Sequence, residues 1–139
     1  MAVKQLSIFL ENRQGQMADV IKQIADADIN IRAMSVADSK DFGILRLLVS
    51  DTDKAKEILG DEAIVRVTDV IAVRMNDIQG ALYTILKTLD EAQINVDYAY
   101  ASQTHDENTA YSVFRVDDVA AAEAALSRRG FAFISEADL

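Results

Sequence analysis

Gly15 and Gly80 stand 65 positions apart, and at that offset the chain nearly overlays itself. Leu6 falls on Ile71, Ile8 on Val73, Leu10 on Met75, Asn12 on Asp77 and Gln14 on Gln79. Downstream, Met17 falls on Leu82, Ile21 on Leu86, Ile24 on Leu89 and Ala27 on Ala92, and Ile29-Asn30-Ile31 falls on Ile94-Asn95-Val96. An ungapped run of matches of this length marks a duplicated unit, and self-similarity at a fixed period constrains a fold more than any single motif. Later the offset becomes 67, with Val49 on Val116 and Leu59 on Leu126. The two extra residues belong between Ala101 and Ala110, a polar stretch that reads as a longer hairpin loop.

Within one copy, Leu6, Ile8 and Leu10 alternate with Ser7, Phe9 and Glu11, the period of a strand. A polar turn with Gly15 follows, and Met17, Val20, Ile21 and Ile24 recur at helical spacing up to Asp26–Asp28. Ile29 to Ala37 reads as a second strand, Asp38 to Asp41 as a hairpin turn and Phe42 to Val49 as a third strand. Asp51 or Thr52 caps a short helix bearing Ala55, Ile58 and Leu59, and Ala63 to Val67 is a fourth strand. The second copy repeats the order, with strands at Val70–Met75, Ile94–Ala101, Ala110–Val116 and Phe131–Ile134. The expected class is α+β: two ferredoxin-like βαββαβ units, residues 1–68 and 69–139, each an antiparallel sheet with helices on one face. That plan leaves the other sheet face, where Val3 and Phe9 point, in need of cover.

Composition narrows the function. The formal net charge is −9, from 23 acidic and 14 basic residues, and the Lys and Arg are scattered. A protein that neutralises phosphates needs a basic stripe, so no nucleic-acid partner is expected, and the same sign argues against an anionic membrane surface. There is no cysteine, which removes disulfides, thiolate zinc sites and cysteine nucleophiles together. No segment has a signal-peptide layout or the length to span a bilayer, so a cytoplasmic protein is expected. The one histidine, His105, lies in the acidic hairpin loop with Asp106 and Glu107, without useful ligand spacing, so no metal or cofactor is expected. The base of a serine triad is missing, and the isolated glycines make no phosphate loop. An acylphosphatase-like hydrolase shares the topology but needs an arginine cradle after the first strand, and Arg13 is replaced by Ile78 in the second copy. No catalytic residue is assigned.

The turn between first strand and first helix is kept in both copies. Gly permits its tightness, and free N–H groups at a helix start attract a carboxylate. Asn12 or Asp77 beside them would hold an ammonium group, and the two together describe an α-amino acid. The strand Leu6–Leu10, the turn from Asn12 to Met17 and the segment Ala27-Asp28-Ile29-Asn30-Ile31 resemble the ACT domain, as do Ile71–Met75, Asp77 to Leu82 and Ala92-Gln93-Ile94-Asn95-Val96. The resemblance spans nearly the whole chain as two ACT units. It implies regulatory binding of an amino acid, side-by-side pairing of units into a continuous eight-stranded sheet, and ligand at the interface between units. The site residues it implies are Asn12, Gln14, Gly15, Gln16 and Met17 with Asn30 and Ile31, and Asp77, Gln79, Gly80, Ala81 and Leu82 with Asn95 and Val96. Tyr98 and Tyr100 either line a pocket or pack against neighbouring elements. The family usually has Pro before this Gly, where Gln14 and Gln79 stand here. Gln either loosens the turn or adds amide hydrogen bonds to a polar ligand. The expected molecule is a non-catalytic amino-acid-binding regulatory protein, a homodimer. The alternative is a regulatory subunit that acts only with a metabolic enzyme partner.

Overall fold

The structure is a computed structural model that describes residues 2–38, 41–60, 64–76, 78–104 and 109–139. The hairpin loop carrying His105, Asp106 and Glu107, and the position of Asp77, lie outside the described residues. The elements run β1 (Ala2–Glu11), α1 (Gln16–Asp26), β2 (Ile31–Asp38), β3 (Phe42–Val49), α2 (Thr52–Leu59), β4 (Ile64–Met75), α3 (Ala81–Glu91), β5 (Val96–Gln103), β6 (Ala110–Val116) and α4 (Val119–Arg128), closed by a 3-10 turn, Glu136–Asp138. Residues 4–68 form one compact unit, and residues 69–139 with 1–3 form the other.

In the first unit the strands lie in the order β2-β3-β1. β1 is antiparallel to β3 with Leu6 opposite Leu47 and Glu11 opposite Phe42, and β2 is antiparallel to β3 with Ile31 opposite Val49. The period-2 pattern sends Leu6, Ile8 and Leu10 of β1 and Leu45 and Leu47 of β3 to one face, where Val20, Ile24, Ala55 and Leu59 of the two helices bury against them. The second unit repeats this with the order β4-β6-β5 and a core of Ile71, Val73, Phe114 and Val116 under Ile85, Leu89, Ala122 and Leu126. The opposite face is buried over part of its length. Val3, Gln5, Ser7 and Leu48 are all buried, and the Gln5 amide donates to the Ser7 hydroxyl at 3.0 Å, so neither buried polar group is left unpaired.

Two strand assignments from sequence need correction. Ala63–Val67 and Val70–Met75 are not separate: β4 runs unbroken from Ile64 to Met75, across the boundary expected between Thr68 and Asp69. Phe131–Ile134 is not a full strand. It makes a single bridge, Val73 opposite Phe133, held by Arg74 N–H to Ala132 O and Ile134 N–H to Ala72 O at 2.8 Å each. With those changes six strands stand among the described residues, and the continuous eight-stranded sheet is not shown.

The first helices of both units end the same way. Asp28 (φ 61°) and Gln93 (φ 60°) adopt the left-handed conformation one residue past the C-caps Ala27 and Ala92. Ile29 N–H then reaches Ile24 O at 3.2 Å, and Ile94 N–H reaches Leu89 O at 2.9 Å. These are the terminal bonds of a Schellman cap, which usually employs Gly at the left-handed position. α4 does employ Gly, at Gly130 (φ 83°). Replacing Gln93 by Gly removes the left-handed penalty of a side chain and is expected to raise stability by about 0.5–1 kcal/mol. Urea denaturation would show it, and a destabilised Gln93→Gly would mean the glutamine side chain contributes a contact of its own.

Candidate functional site

The two strand-to-helix turns are superimposable in their hydrogen bonds. Arg13 N–H reaches back to Glu11 O (2.9 Å), Gln16 N–H to Arg13 O (3.4 Å) and Asp19 N–H to Gly15 O (3.0 Å). In the second copy Ile78 N–H reaches Asn76 O (2.8 Å), Ala81 N–H reaches Ile78 O (3.2 Å) and Thr84 N–H reaches Gly80 O (2.9 Å). Gly15 and Gly80 are the N-caps, with φ of 86° and 83°, a conformation that L side chains rarely adopt.

A glycine cap has no side chain to offer the first helical N–H groups. Among the described residues, the N–H groups of Met17 and Ala18 in α1 and of Leu82 and Tyr83 in α3 have no acceptor, and neither helix has a side-chain cap. The second helix of each unit is built differently. Asp51 accepts from Lys54 N–H and Asp118 from Ala121 N–H, each at 3.0 Å. The chain therefore caps α2 and α4 with its own carboxylates and leaves α1 and α3 with donors that a carboxylate from outside could accept.

The expected site residues distribute as follows. Asn12 and Met17 line a small cleft of about 90 Å³ with Leu10, Glu11, Arg13, Val36, Asp38, Gly43 and Leu45. Gln16 instead lines a larger cleft of about 400 Å³, with Phe9, Leu10, Glu11, Phe42, Ile64 and Arg66. Gln14, Gly15, Gln79, Gly80, Ala81 and Leu82 form the turns and helix starts. Asn30 and Ile31 are not brought to the turn of their own unit. Ile31 pairs with Val49 at the end of β3, and Asn30 exchanges bonds with Ser50 (3.0 and 2.9 Å), whereas Glu11 pairs with Phe42 at the start of β3. Asn95 and Val96 stand in the same relation to the second turn: Val96 pairs with Val116 at the end of β6, and the Asn95 amide donates to Asp97 at 2.9 Å. Both edge strands carry a bulge just past this point, after Ile31 and after Val96, which re-aims the side chains there. Tyr98 and Tyr100 lie half-buried on one face of β5.

The Arg13 Nε lies 3.6 Å from the Glu11 carboxylate, both side chains being exposed. No group of His, Asp and Glu side chains suited to a metal ion occurs among the described residues, and no described helix is long and apolar enough to cross a membrane. Sequence reasoning missed Phe9, Phe42, Ile64 and Arg66. The available signal was a difference between the copies, since Phe9 corresponds to Arg74 and Phe42 to Thr109.

Comparison with known proteins agrees with this architecture. The family model of the ACT domain pair matches residues 1–139. The chain therefore belongs to the ACT domain pair family, whose units are regulatory modules. It is similar to protein BT0572 from Bacteroides thetaiotaomicron, at 34% identity and a TM-score of 0.91 over 99% of this chain and 95% of that one. It also shares its fold with the regulatory subunit of aspartate kinase from Thermus thermophilus, in a ligand-free form (17% identity, TM-score 0.63, 91% and 90% of the two chains). The regulatory subunit of aspartate kinase from Thermus flavus is alike to a similar degree (16%, TM-score 0.60, 90% of each chain). A comparison with curated proteins gives no significant match.

Proposed function

We propose that this chain is a non-catalytic regulatory protein of the cytoplasm that binds a free α-amino acid at its strand-to-helix turns. The observation that carries the reading is the contrast in capping. Both first helices begin at a left-handed glycine with unaccepted N–H groups, while both second helices are capped by aspartate. Retaining glycine caps at both copies of one turn forgoes roughly a few tenths of a kcal/mol per helix against an aspartate cap, and leaves donors that a ligand carboxylate would satisfy. Asn12 and Asp77 are the proposed ammonium partners.

Because Asn30 and Ile31 sit at the far end of β3 from their own turn, a ligand that touches both sets needs a second unit beside that turn. Ile78, Leu82, Tyr83 and Leu86 present exposed apolar side chains along α3 and the turn before it, which suits such an association. A homodimer is therefore expected, with a light-scattering mass of twice 15.3 kDa. A mass of 15.3 kDa would contradict the dimer.

The test of binding is a thermal-shift screen of the purified protein against the twenty amino acids at millimolar concentration. A rise with one or a few of them supports the reading, because a ligand that binds only the folded state must raise Tm. No rise with any of them counts against it. A second reading, a subunit that acts only within a complex with a metabolic enzyme, is favoured by the likeness over nearly the full length to separate regulatory subunits of aspartate kinase. It predicts a stable complex with a larger chain and no ligand response in isolation.

A further inference from the structure

The larger cleft belongs to the first unit alone and has a chemistry of its own. Phe9 of β1, Phe42 of β3 and Ile64 of β4 give it apolar walls, and Phe42 and Ile64 are exposed to 58% and 66%. Arg66 supplies a cation. Its guanidinium carbon lies 5.6 Å from the centre of the Phe9 ring, and among the described residues no carboxylate pairs with it. Stacking on a ring face leaves the N–H edge of a guanidinium free for a planar anion. The acceptors lie at the end of β1 and the start of α1. Glu11 carries a carboxylate shared only with the exposed Arg13, and Gln16 Oε1 is buried with no hydrogen-bond partner among the described residues. A buried acceptor without a donor is costly, so it calls for an N–H from a bound group.

The second unit does not keep these features. Arg74 stands at the Phe9 position and Thr109 at the Phe42 position, and the Arg74 guanidinium donates to the Thr109 hydroxyl at 3.5 Å. Ala81 replaces Gln16, so the amide acceptor is gone as well.

From these groups we infer that the cleft takes one free α-amino acid with a medium-sized apolar side chain. Arg66 holds its carboxylate, Glu11 and Gln16 Oε1 hold its ammonium, and Phe9, Phe42 and Ile64 enclose its side chain. The volume of about 400 Å³ lies in the lower part of the range of roughly 300–1,000 Å³ typical of small-molecule sites. The inference rests on the reading of the chain as an amino-acid binder, and it goes further by placing a site on side chains of the first unit only and giving the ligand an apolar side chain.

Isothermal titration calorimetry of the full chain with leucine tests it. Alanine serves as the small homologue, aspartate as the polar one, and 4-methylpentanoate and 3-methylbutylamine as analogues lacking the ammonium or the carboxylate. The expected result is leucine binding that falls at least tenfold with either analogue and at least tenfold in Arg66→Met. Phe42→Ala is expected to weaken leucine more than alanine. Both substitutions lie at exposed positions, and an unchanged Tm without ligand shows that the variants fold. Leucine binding that survives both substitutions unchanged overturns the inference while the amino-acid-binding reading stands. So does a protein that binds aspartate and not leucine. A protein that binds none of the twenty amino acids overturns both.

Discussion

Replacing Phe114 by alanine is expected to cost about 3–5 kcal/mol of stability. Phe114 is fully buried at the centre of β6, opposite Ile71 on one side and Ala99 on the other. It packs in the core with Leu89 and Leu126 from the two helices above the sheet. Removing the ring forfeits its transfer free energy and leaves a cavity that three strands and two helices cannot close together. Natural domains are stable by about 5–15 kcal/mol, so this one change takes a large share of the total. At roughly 4 °C per kcal/mol for a chain of this size, Tm should fall by about 12–20 °C. Phe114→Leu, which keeps most of the volume, should lose under about 1.5 kcal/mol. Calorimetry of both variants checks the packing, and a Phe114→Ala loss below that of Phe114→Leu would contradict it.

The second large effect is stabilisation by ligand. An amino acid present at a hundred times its Kd should stabilise the folded chain by about 2.7 kcal/mol, on the order of 10 °C in Tm. Asn12→Ala and Asp77→Ala each remove one proposed ammonium partner, so each should reduce the part of the rise that comes from ligand held at the turns, and the double variant should reduce it further. Asn12 is exposed, and the ligand-free Tm of Asn12→Ala should stay close to that of the parent. A full Tm rise in the double variant would place the ligand away from the two turns.

Much of the fold was legible because the chain states it twice. The shared Gly15 and Gly80 located the turns, and the 3.6-residue spacing of Val20, Ile24, Ile85 and Leu89 located the helices that bury those side chains. The uninterrupted β4 was not legible. Thr68-Asp69 reads as a polar linker, yet a strand tolerates an exposed aspartate whenever that face meets solvent, and Asp69 is exposed. Phe131–Ile134 carries a strand pattern, but a pattern of period 2 does not say how many ladder bonds the rest of the chain will offer, and here the segment closes one bridge.

The turns of the candidate site could be read from the repeat, and their bonds coincide in both copies. Asn30 and Ile31 lay next to the motif in sequence, but the antiparallel pairing of β2 and β1 with β3 carries them to the far end. The larger cleft could not be read from the motif. Its walls come from β1, β3 and β4, and each of Phe9, Phe42, Ile64 and Arg66 taken singly resembles an ordinary outward-facing strand residue. The register that sets Glu11 opposite Phe42 brings the β1 and β3 walls together, and β4 lies beside β1.

The central claim is that the uncapped starts of α1 and α3 receive a ligand carboxylate. The most direct measurement is an NMR titration of the ¹⁵N-labelled chain with the amino acid that gives the largest thermal shift, following the amide signals of Met17, Ala18, Leu82 and Tyr83. Saturable shifts are expected at these amides in one or both turns, with the Lys54 and Ala121 amides, already held by Asp51 and Asp118, unmoved. Saturable shifts elsewhere, with all four of these amides unmoved, would contradict it.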